Sequence, residues 1–444
     1  MNIPEPTITE KLPTFTFPAH SVEFLSNSIK CFFVPDNNQD LVHISVKAKY
    51  GAASEAIPGT ESIMANLLPC GTPSYSTLEL ADAVDAIGAG LRVSKQWDST
   101  GMSIGGLAEF GTEMIKLLAD CICNPLFTDA EFSRIRNEAI SELQYEITDP
   151  RFTSSRAFVS ALIQNHPYSH SRIGTLESLQ SITVSDVKEF YQQMRTNAEW
   201  YIVVSGKYNY QEVKAELEQQ FATLTSTTTK RDVIPVEVPT SARTAYVHLP
   251  ESLQSTILVG FPTVDVNHPD YPALHILVTI LGGYFSSRFN SILREEKGYT
   301  YGAFASVDNR FHISDISVGT SVGNQHTADT LRIINEEFNK IATEQIPEEE
   351  LQLVVQFMLG SFARSTETPQ QIAGFIHGME ILDTDVSYYE RFVQYLSTVT
   401  PQSLFPAQQR LFSPSGIVYA ASGDGEVLKQ ALSVFAPPQE VIVN

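Results

Sequence analysis

The stretch "SITVSDVKEFYQQMRTNAEWYIVVSGK", residues 181–207, has a counterpart later in the chain, "TVTPQSLFPAQQRLFSPSGIVYAASGD", residues 398–424. Set side by side without a gap, Thr183 falls on Thr400 and Ser205-Gly206 on Ser422-Gly423. Upstream, "FTDAEFSRIRNEAISEL" parallels "IPEEELQLVVQFMLGSF", and Asp149-Pro150 parallels Thr368-Pro369 at nearly the same spacing. A small drift in register is what short loop insertions produce. The chain therefore carries one unit of roughly 200 residues written twice, a length that suits a domain.

Both copies share a coarse pattern. An alternating strand opens each, VHISVKAKYGA from Val42 and STILVGFPTV from Ser255, because apolar residues at every second position fit a half-buried strand. Helices and a strand pair follow, then long amphipathic helices. The closing strands are WYIVVSG from Trp200 and GIVYAASG from Gly416. Strands and helices that mix without strict alternation predict an α+β fold, with helices packed on one face of a mainly antiparallel sheet. The stretch "TLTSTTTKRDVIPVEVPTSA" is rich in Thr, Ser and Pro and reads as a linker. The expected division is 1–222, linker 223–242, and 243–444. Thr128, with Glu131 three residues on, predicts a capping box for the next helix.

The bulk numbers narrow the function classes. Of the 444 residues, 43% are hydrophobic and 18% charged, as in ordinary globular proteins. A net charge of −22 opposes binding to nucleic acid or anionic membrane, and would favour basic peptides if it extends to a peptide-facing surface. The start, MNIPEPTITEKLPTF, lacks the basic-then-apolar pattern of a signal peptide. No apolar run approaches the ~18 residues of a membrane span. Four scattered cysteines, Cys31, Cys70, Cys121 and Cys123, suit reduced core thiols, and the expected compartment is the cytoplasm.

Several motifs compete for a chemical role. G-x-S-x-G occurs twice, as GMSIG (101–105) and GTSVG (319–323). A nucleophile elbow needs its serine on a turn opening directly into a helix, whereas the helix after Gly323 begins near Thr327. The two matches are also equivalent positions of the repeat, so sheet packing explains them better. His166 and His170 have metal-compatible spacing, but Pro167 places them in a loop with no further ligand. No Walker loop, dinucleotide fingerprint or paired CxxC is present.

Two segments remain: "PGTESIMANLLPCGTPSYST" (58–77) and "LGGYFSSRFNSILREEKGYTYGAFAS" (281–306). With "NHPYSHSRIGTLESLQSIT" and the duplication, they make the chain resemble the pitrilysin-type zinc peptidases, the inverzincins. The resemblance is to their short two-domain branch, which includes the mitochondrial processing peptidase, and it covers nearly the whole chain. In that family H-x-x-E-H lies nine residues before a Gly-Thr, with both imidazoles on one helical face and the glutamate as general base. Counting back from Gly71-Thr72, Ser62 stands for the first histidine, Ala65 for the glutamate and Asn66 for the second histidine. The distant glutamate ligand falls near Glu142. The resemblance thus implies an emptied site and no metal in this chain.

The second half matches the family's R-x6-Y pair with Arg294 and Tyr301. In relatives this pair reaches the zinc site of the other half and binds the scissile carbonyl region. The alternative for Arg294 is an ion pair with Glu295 or Glu296, and for Tyr301 packing in a strand. The short Gly282-Gly283 more simply allows a close helix–strand approach. The resemblance implies a zinc-free subunit of a heterodimeric peptidase, forming half of a clam-shell chamber for unfolded peptides. A homologous HxxEH-bearing partner would supply the zinc. A non-catalytic scaffold or peptide-binding subunit, similar to the respiratory core proteins, is the other reading.

Overall fold

A computed structural model of the chain describes residues 16–443 except 230. The leading stretch MNIPEPTITEKLPTF, read above for targeting signals, lies outside the described residues. The first sheet is built from β1 (Ser21–Phe24), β2 (Lys30–Pro35), β3 (Leu41–Ala48), β4 (Gly90–Lys95), β5 (Thr100–Leu107) and β6 (Trp200–Gly206). Its order is β1-β2-β6-β3-β5-β4. The second sheet uses β7 (Arg243–His248), β8 (Gln254–Thr263), β9 (Ala303–Asn309), β10 (Ser314–Gly323), β11 (Val418–Gly423) and β12 (Pro438–Glu440). Its order is β12-β7-β11-β8-β10-β9; five strands repeat the first sheet's topology, while the edge strand differs, β1 running antiparallel to β2 and β12 parallel to β7. Pairing is antiparallel except for β2–β6, β7–β11 and β7–β12.

The first half adds helices α1 (Thr60–Leu67), α2 (Thr77–Ala86), α3 (Gly111–Cys123), α4 (Asp129–Glu146) and α5 (Pro150–Leu162). It ends with α6 (Leu176–Ser181), α7 (Val184–Asn197) and α8 (Tyr210–Gln220). The second half has α9 (Tyr271–Val278), α10 (Thr327–Thr343), α11 (Glu348–Arg364) and α12 (Pro369–Ile381). Helices α13 (Val386–Thr398), α14 (Pro401–Leu411) and α15 (Gly425–Leu432) complete it. Among the described residues no helix is long and apolar enough to cross a membrane.

The matched residues of the repeat become matched structural devices. Thr183 and Thr400 each cap a helix with a reciprocal capping box, satisfying amides that the first turn leaves unpaired. Asp149 and Thr368 cap α5 and α12, each followed by proline at the first helical position, where no N–H is needed. Thr128 makes only half of its predicted box. It accepts from the Glu131 amide at 3.3 Å, but the Glu131 carboxylate turns to Arg134 instead of back to the cap. The GxSxG matches lie on β5 and β10. A Cβ on Gly101 would fall 2.2 Å from the Val46 carbonyl oxygen, and one on Gly319 2.2 Å from the Phe304 ring. These glycines serve sheet packing.

Strand β3 alternates Val42, Ile44, Val46 and Ala48 into the helical layer, with His43, Ser45 and Lys47 on the opposite face. That opposite face is partly closed by a helix from the other half. Helix α12 lays Ile372, Ala373, Ile376 and Met379 on Phe32, Val34, Tyr201 and Val203. Reciprocally, α5 lays Ala157, Phe158, Ala161 and Leu162 on Ala245, Val247, Val418 and Ala420 of the second sheet. The Ser205 hydroxyl donates to the Pro369 carbonyl (2.7 Å), and the Ser422 hydroxyl to the Pro150 carbonyl (2.6 Å). Each half thus lends the other a helix.

Candidate functional site

Helix α1 begins at Gly59, whose φ of 96° is easy only for glycine and which offers no capping side chain. Glu55 substitutes from outside the helix: its carboxylate accepts from the Gly59 and Glu61 amides at 2.9 and 2.8 Å. The Ile173–Gly174 backbone presses on Gly59, which seats the RIGTLESL segment against the start of α1. Ile63, Met64 and Leu67 are buried as the apolar stripe requires.

The positions that spacing assigned to zinc chemistry carry other contacts. Ser62 is buried and its hydroxyl accepts from Lys95 Nζ at 3.3 Å. Ala65 is 0% exposed and has no donor atom to offer. Asn66 is half-buried, and Glu142 is exposed on α4. A fixed ammonium beside Ser62 opposes a second cation there, and one amide with a solvated carboxylate is a poor zinc set. These residues do not fit zinc. Among the described residues no group of three or more His, Cys, Asp or Glu is arranged to hold a metal ion.

Two carboxyls, the buried Glu61 and the half-buried Glu55, sit at the start of this helix, and no motif pointed to either. Glu61 is enclosed and accepts from the Thr100 hydroxyl at 2.6 Å. Burial pushes it up to about 7, against the pull of Thr100, Arg172 and Lys95. Burial likewise pushes Glu55 up to about 8, despite its two backbone donors. Arg172 holds Lys95 from behind, donating to its carbonyl at 2.8 Å. Lys95 lies at the end of β4, the outermost strand of the first sheet.

In the second half, Arg294 sits in a π-helical turn, Asn290–Glu296, and Tyr301 in the link to β9. Arg294 is 34% exposed; it pairs with Glu295 at 3.3 Å and lies over the Phe285 ring at 4.2 Å. Tyr301 is 98% exposed, so the packed-strand alternative does not describe it. Gly282 lies so near β9 that a Cβ would stand 2.3 Å from the Ala305 nitrogen, the close approach read from the sequence.

His166 and His170 flank a 3-10 turn and do not converge on a ligand position. His166 Nδ1 accepts from the Tyr168 amide at 3.1 Å, and its ring meets His312 of the second half. Burial holds it down to about 4. Tyr168 donates to Asp98 at 2.6 Å, and Asp98 also accepts the Phe311 amide at 3.2 Å. The loop is a clasp between halves. Of the cysteines, Cys31, Cys121 and Cys123 are buried free thiols, and Cys70 is partly exposed and also free.

With this geometry in hand, comparison places the chain among known proteins. The family described as Insulinase (Peptidase family M16) matches residues 32–176, and the Peptidase M16 inactive domain matches 181–358. An uncharacterized zinc protease of Mycobacterium leprae is 23% identical over 315 residues, 70% of this chain and 70% of that protein. A Helicobacter pylori protein named a non-peptidase homolog is 20% identical over 332 residues, 74% of this chain and 76% of that one. Among solved structures, the peptidase M16 inactive domain from Pseudomonas fluorescens superposes with a TM-score of 0.83 at 21% identity, covering 91% of this chain and 98% of that one. A chain of Complex III2 from Candida albicans gives 0.75 at 14% identity, covering 93% and 97%. At such identities the structural likeness speaks for the fold alone.

Proposed function

The chain belongs to the M16 peptidase family, and on that premise we propose that it is the zinc-free subunit of a heterodimeric metallopeptidase acting on unfolded peptides. The observation that carries the reading is at α1: Ala65 stands buried in the general-base position, and Ser62 holds the Lys95 ammonium. The name of one relative, a non-peptidase homolog, agrees with it. A homologous HxxEH-bearing subunit supplies the zinc, the base and the attacking water. This chain supplies Arg294 and Tyr301, a guanidinium and a phenol that donate to the scissile carbonyl as negative charge develops on it. Tyr301, almost wholly exposed, is free to reach a ligand held elsewhere. Strand β4, the sheet edge beside α1, offers unpaired backbone groups to an extended peptide.

One observation favours the scaffold reading instead: Arg294 is already engaged by Glu295 and Phe285. The two readings separate in the co-purified heterodimer, followed by cleavage of a quenched unstructured peptide. With assembly intact, Arg294→Ala is expected to lower turnover by about 10²-fold, the worth of one oxyanion donor. Unchanged turnover would make Arg294 structural and the chain a chamber wall.

A further inference from the structure

Helices of the second half surround a cavity of about 450 Å³. Its walls come from α9, α11, α12 and α13, with Asn309 at the end of β9. Among its lining residues are Phe357, Phe362, Phe375, Tyr388, Tyr389 and Phe392. These rings brace one another. Phe375 meets Tyr389 edge-on with centroids 4.8 Å apart, Phe362 stacks on Phe392 at 5.7 Å, and Tyr388 meets Tyr389 at 5.1 Å. The walls are therefore preformed, as small-molecule sites usually are. Phe357 is 41% exposed, so the cavity is reached from solvent.

The equivalent space in the first half is nearly closed. Counted from the matched Pro150 and Pro369, Arg156 corresponds to Phe375, and Leu143 to Phe362. Leu143 and Arg156 line a cavity of only about 110 Å³, which Val441 and Val443 also crowd. There the Arg156 guanidinium donates to the Ser169 and His170 carbonyls at 2.7 and 2.9 Å, drawing the loop before α6 over the space. Phe375 has no donor with which to hold such a loop. Only residues 382–385 link α12 to α13, against 163–175 between α5 and α6. The second half keeps open what the first half roofs over.

The lining selects the ligand. No Asp, Glu, Lys or Arg lines this cavity among the described residues, although 18% of the chain is charged. A neighbouring cavity of about 570 Å³ shares Val266 and Leu382 with it, yet has Arg310, Asp265 and Asp383 in its walls. His275 stays neutral, held down to about 4 by burial, and its Nε2 bonds the Tyr271 hydroxyl at 2.8 Å. That hydroxyl also accepts from Asn309. Burial raises the Tyr388 and Tyr389 phenols, so both stay protonated and uncharged. An entering charge would lose its water and find no counter-ion. Size narrows the class further: a cavity of ~150 Å³ takes one benzene, so three times that volume suits two or three rings. The walls are mostly helical, with backbone groups already paired, and give an extended peptide no strand edge to join.

We propose that this cavity binds a neutral small molecule of two or three rings. Such a site stands apart from peptide handling and does not depend on it.

The test titrates the full chain with two dyes that share one three-ring skeleton and brighten on leaving water. Phenylnaphthylamine is neutral, and anilinonaphthalene sulfonate adds a negative charge. The neutral dye is expected to bind one molecule per chain, about tenfold or more tighter than the sulfonate. A Cβ on Gly378 of α12, which lines the cavity, meets only the Tyr389 hydroxyl at 3.9 Å. Gly378→Leu should therefore fold, fill the space and weaken the neutral dye by about tenfold. Ser361→Arg, which puts a cation into the half-buried lining, should turn the preference toward the sulfonate. Equal affinity for the two dyes, binding of several molecules per chain, or a preference unchanged in both variants would overturn the assignment. Displacement of the neutral dye by an unstructured Phe- and Trp-rich peptide would give the cavity to peptide side chains and refute the small-molecule site.

Discussion

Helices α5 and α12 occupy equivalent places, each docked on the sheet of the other half, yet they hold on by different physics. Counted from their matched prolines, Phe158 of α5 corresponds to His377 of α12, and Ala161 to Glu380. Phe158 lies against Gly260, and the α5 interface is apolar apart from two bonds to backbone carbonyls, from Ser422 to Pro150 and from Arg243 to Ala161 at 3.0 Å. His377 instead exchanges hydrogen bonds with Ser45 (2.9 Å) and Tyr201 (3.2 Å). Glu380 binds Lys30 at 2.7 Å and Lys49 at 3.2 Å. One architecture thus accepts either a dry or a charged seam. The dry seam draws on area removed from water, whereas the charged seam draws on complete pairing and fails sharply when one partner is lost.

The largest effects should come from attacking each seam in its own currency. Phe158→Ala is expected to cost about 3–5 kcal/mol, through lost burial and the cavity left behind. Lys49→Met should cost a similar ~3–5 kcal/mol, because Glu380 loses one of its two counterions in a buried site. The decisive comparison is rescue. Adding Glu380→Leu to Lys49→Met should recover most of the loss, since Glu199 and Asp383 are solvated enough to stand alone. Urea unfolding of the three variants checks this, and a double variant as weak as the single would refute the charged-seam account.

Gly206→Ala comes next. Gly206 has φ of +109°, and a Cβ there would fall 2.2 Å from the Leu41 carbonyl oxygen and 3.1 Å from Pro369. Strain alone is worth about 1–3 kcal/mol. The matched Gly423→Ala meets its nearest atom, the Gln254 carbonyl oxygen, at 2.7 Å and should cost less, as melting temperatures of the pair would report.

The seams should also part with pH. Burial, with Lys47 and His43 nearby, holds His377 well below its ordinary range. An imidazole depressed on folding contributes stability that is complete above its unfolded value near 6.5 and is lost as pH falls. The stability gap between wild type and His377→Phe should therefore narrow below pH 6.5, by at most about 1.4 kcal/mol per pH unit. A gap constant from pH 7 to 5 would show that His377 does not titrate the seam. The smallest effects belong to Ser205→Ala and Ser422→Ala, about 1 kcal/mol each and additive, as expected of distant hydrogen bonds.

The sequence revealed the repeat because strand alternation and capping chemistry are local. Thr183 and Thr400 could be matched by eye, and both proved to cap helices. The exchange of α5 and α12 was not legible: an amphipathic stripe says that a helix buries one face, not which sheet receives it. Motif spacing led directly to Ser62, Ala65 and Asn66. It gave no hint of Lys95, whose contact with Ser62 depends on how β4 folds back beside α1. The exposure of Tyr301 was equally hidden, since the link before β9 has no periodicity to read.

The exchanged helices set a timetable for synthesis. Ser205 closes its strand long before Pro369 exists, and 164 positions separate them. At roughly 5–20 residues per second, the first sheet waits on the order of 10–30 s with Phe32, Val34, Tyr201 and Val203 uncovered. The second half suffers no such delay, because α5 is already made when β7 leaves the ribosome. The newborn chain is therefore most vulnerable to clumping during the interval between its two halves, and a messenger that slows translation there would lower the yield of native protein.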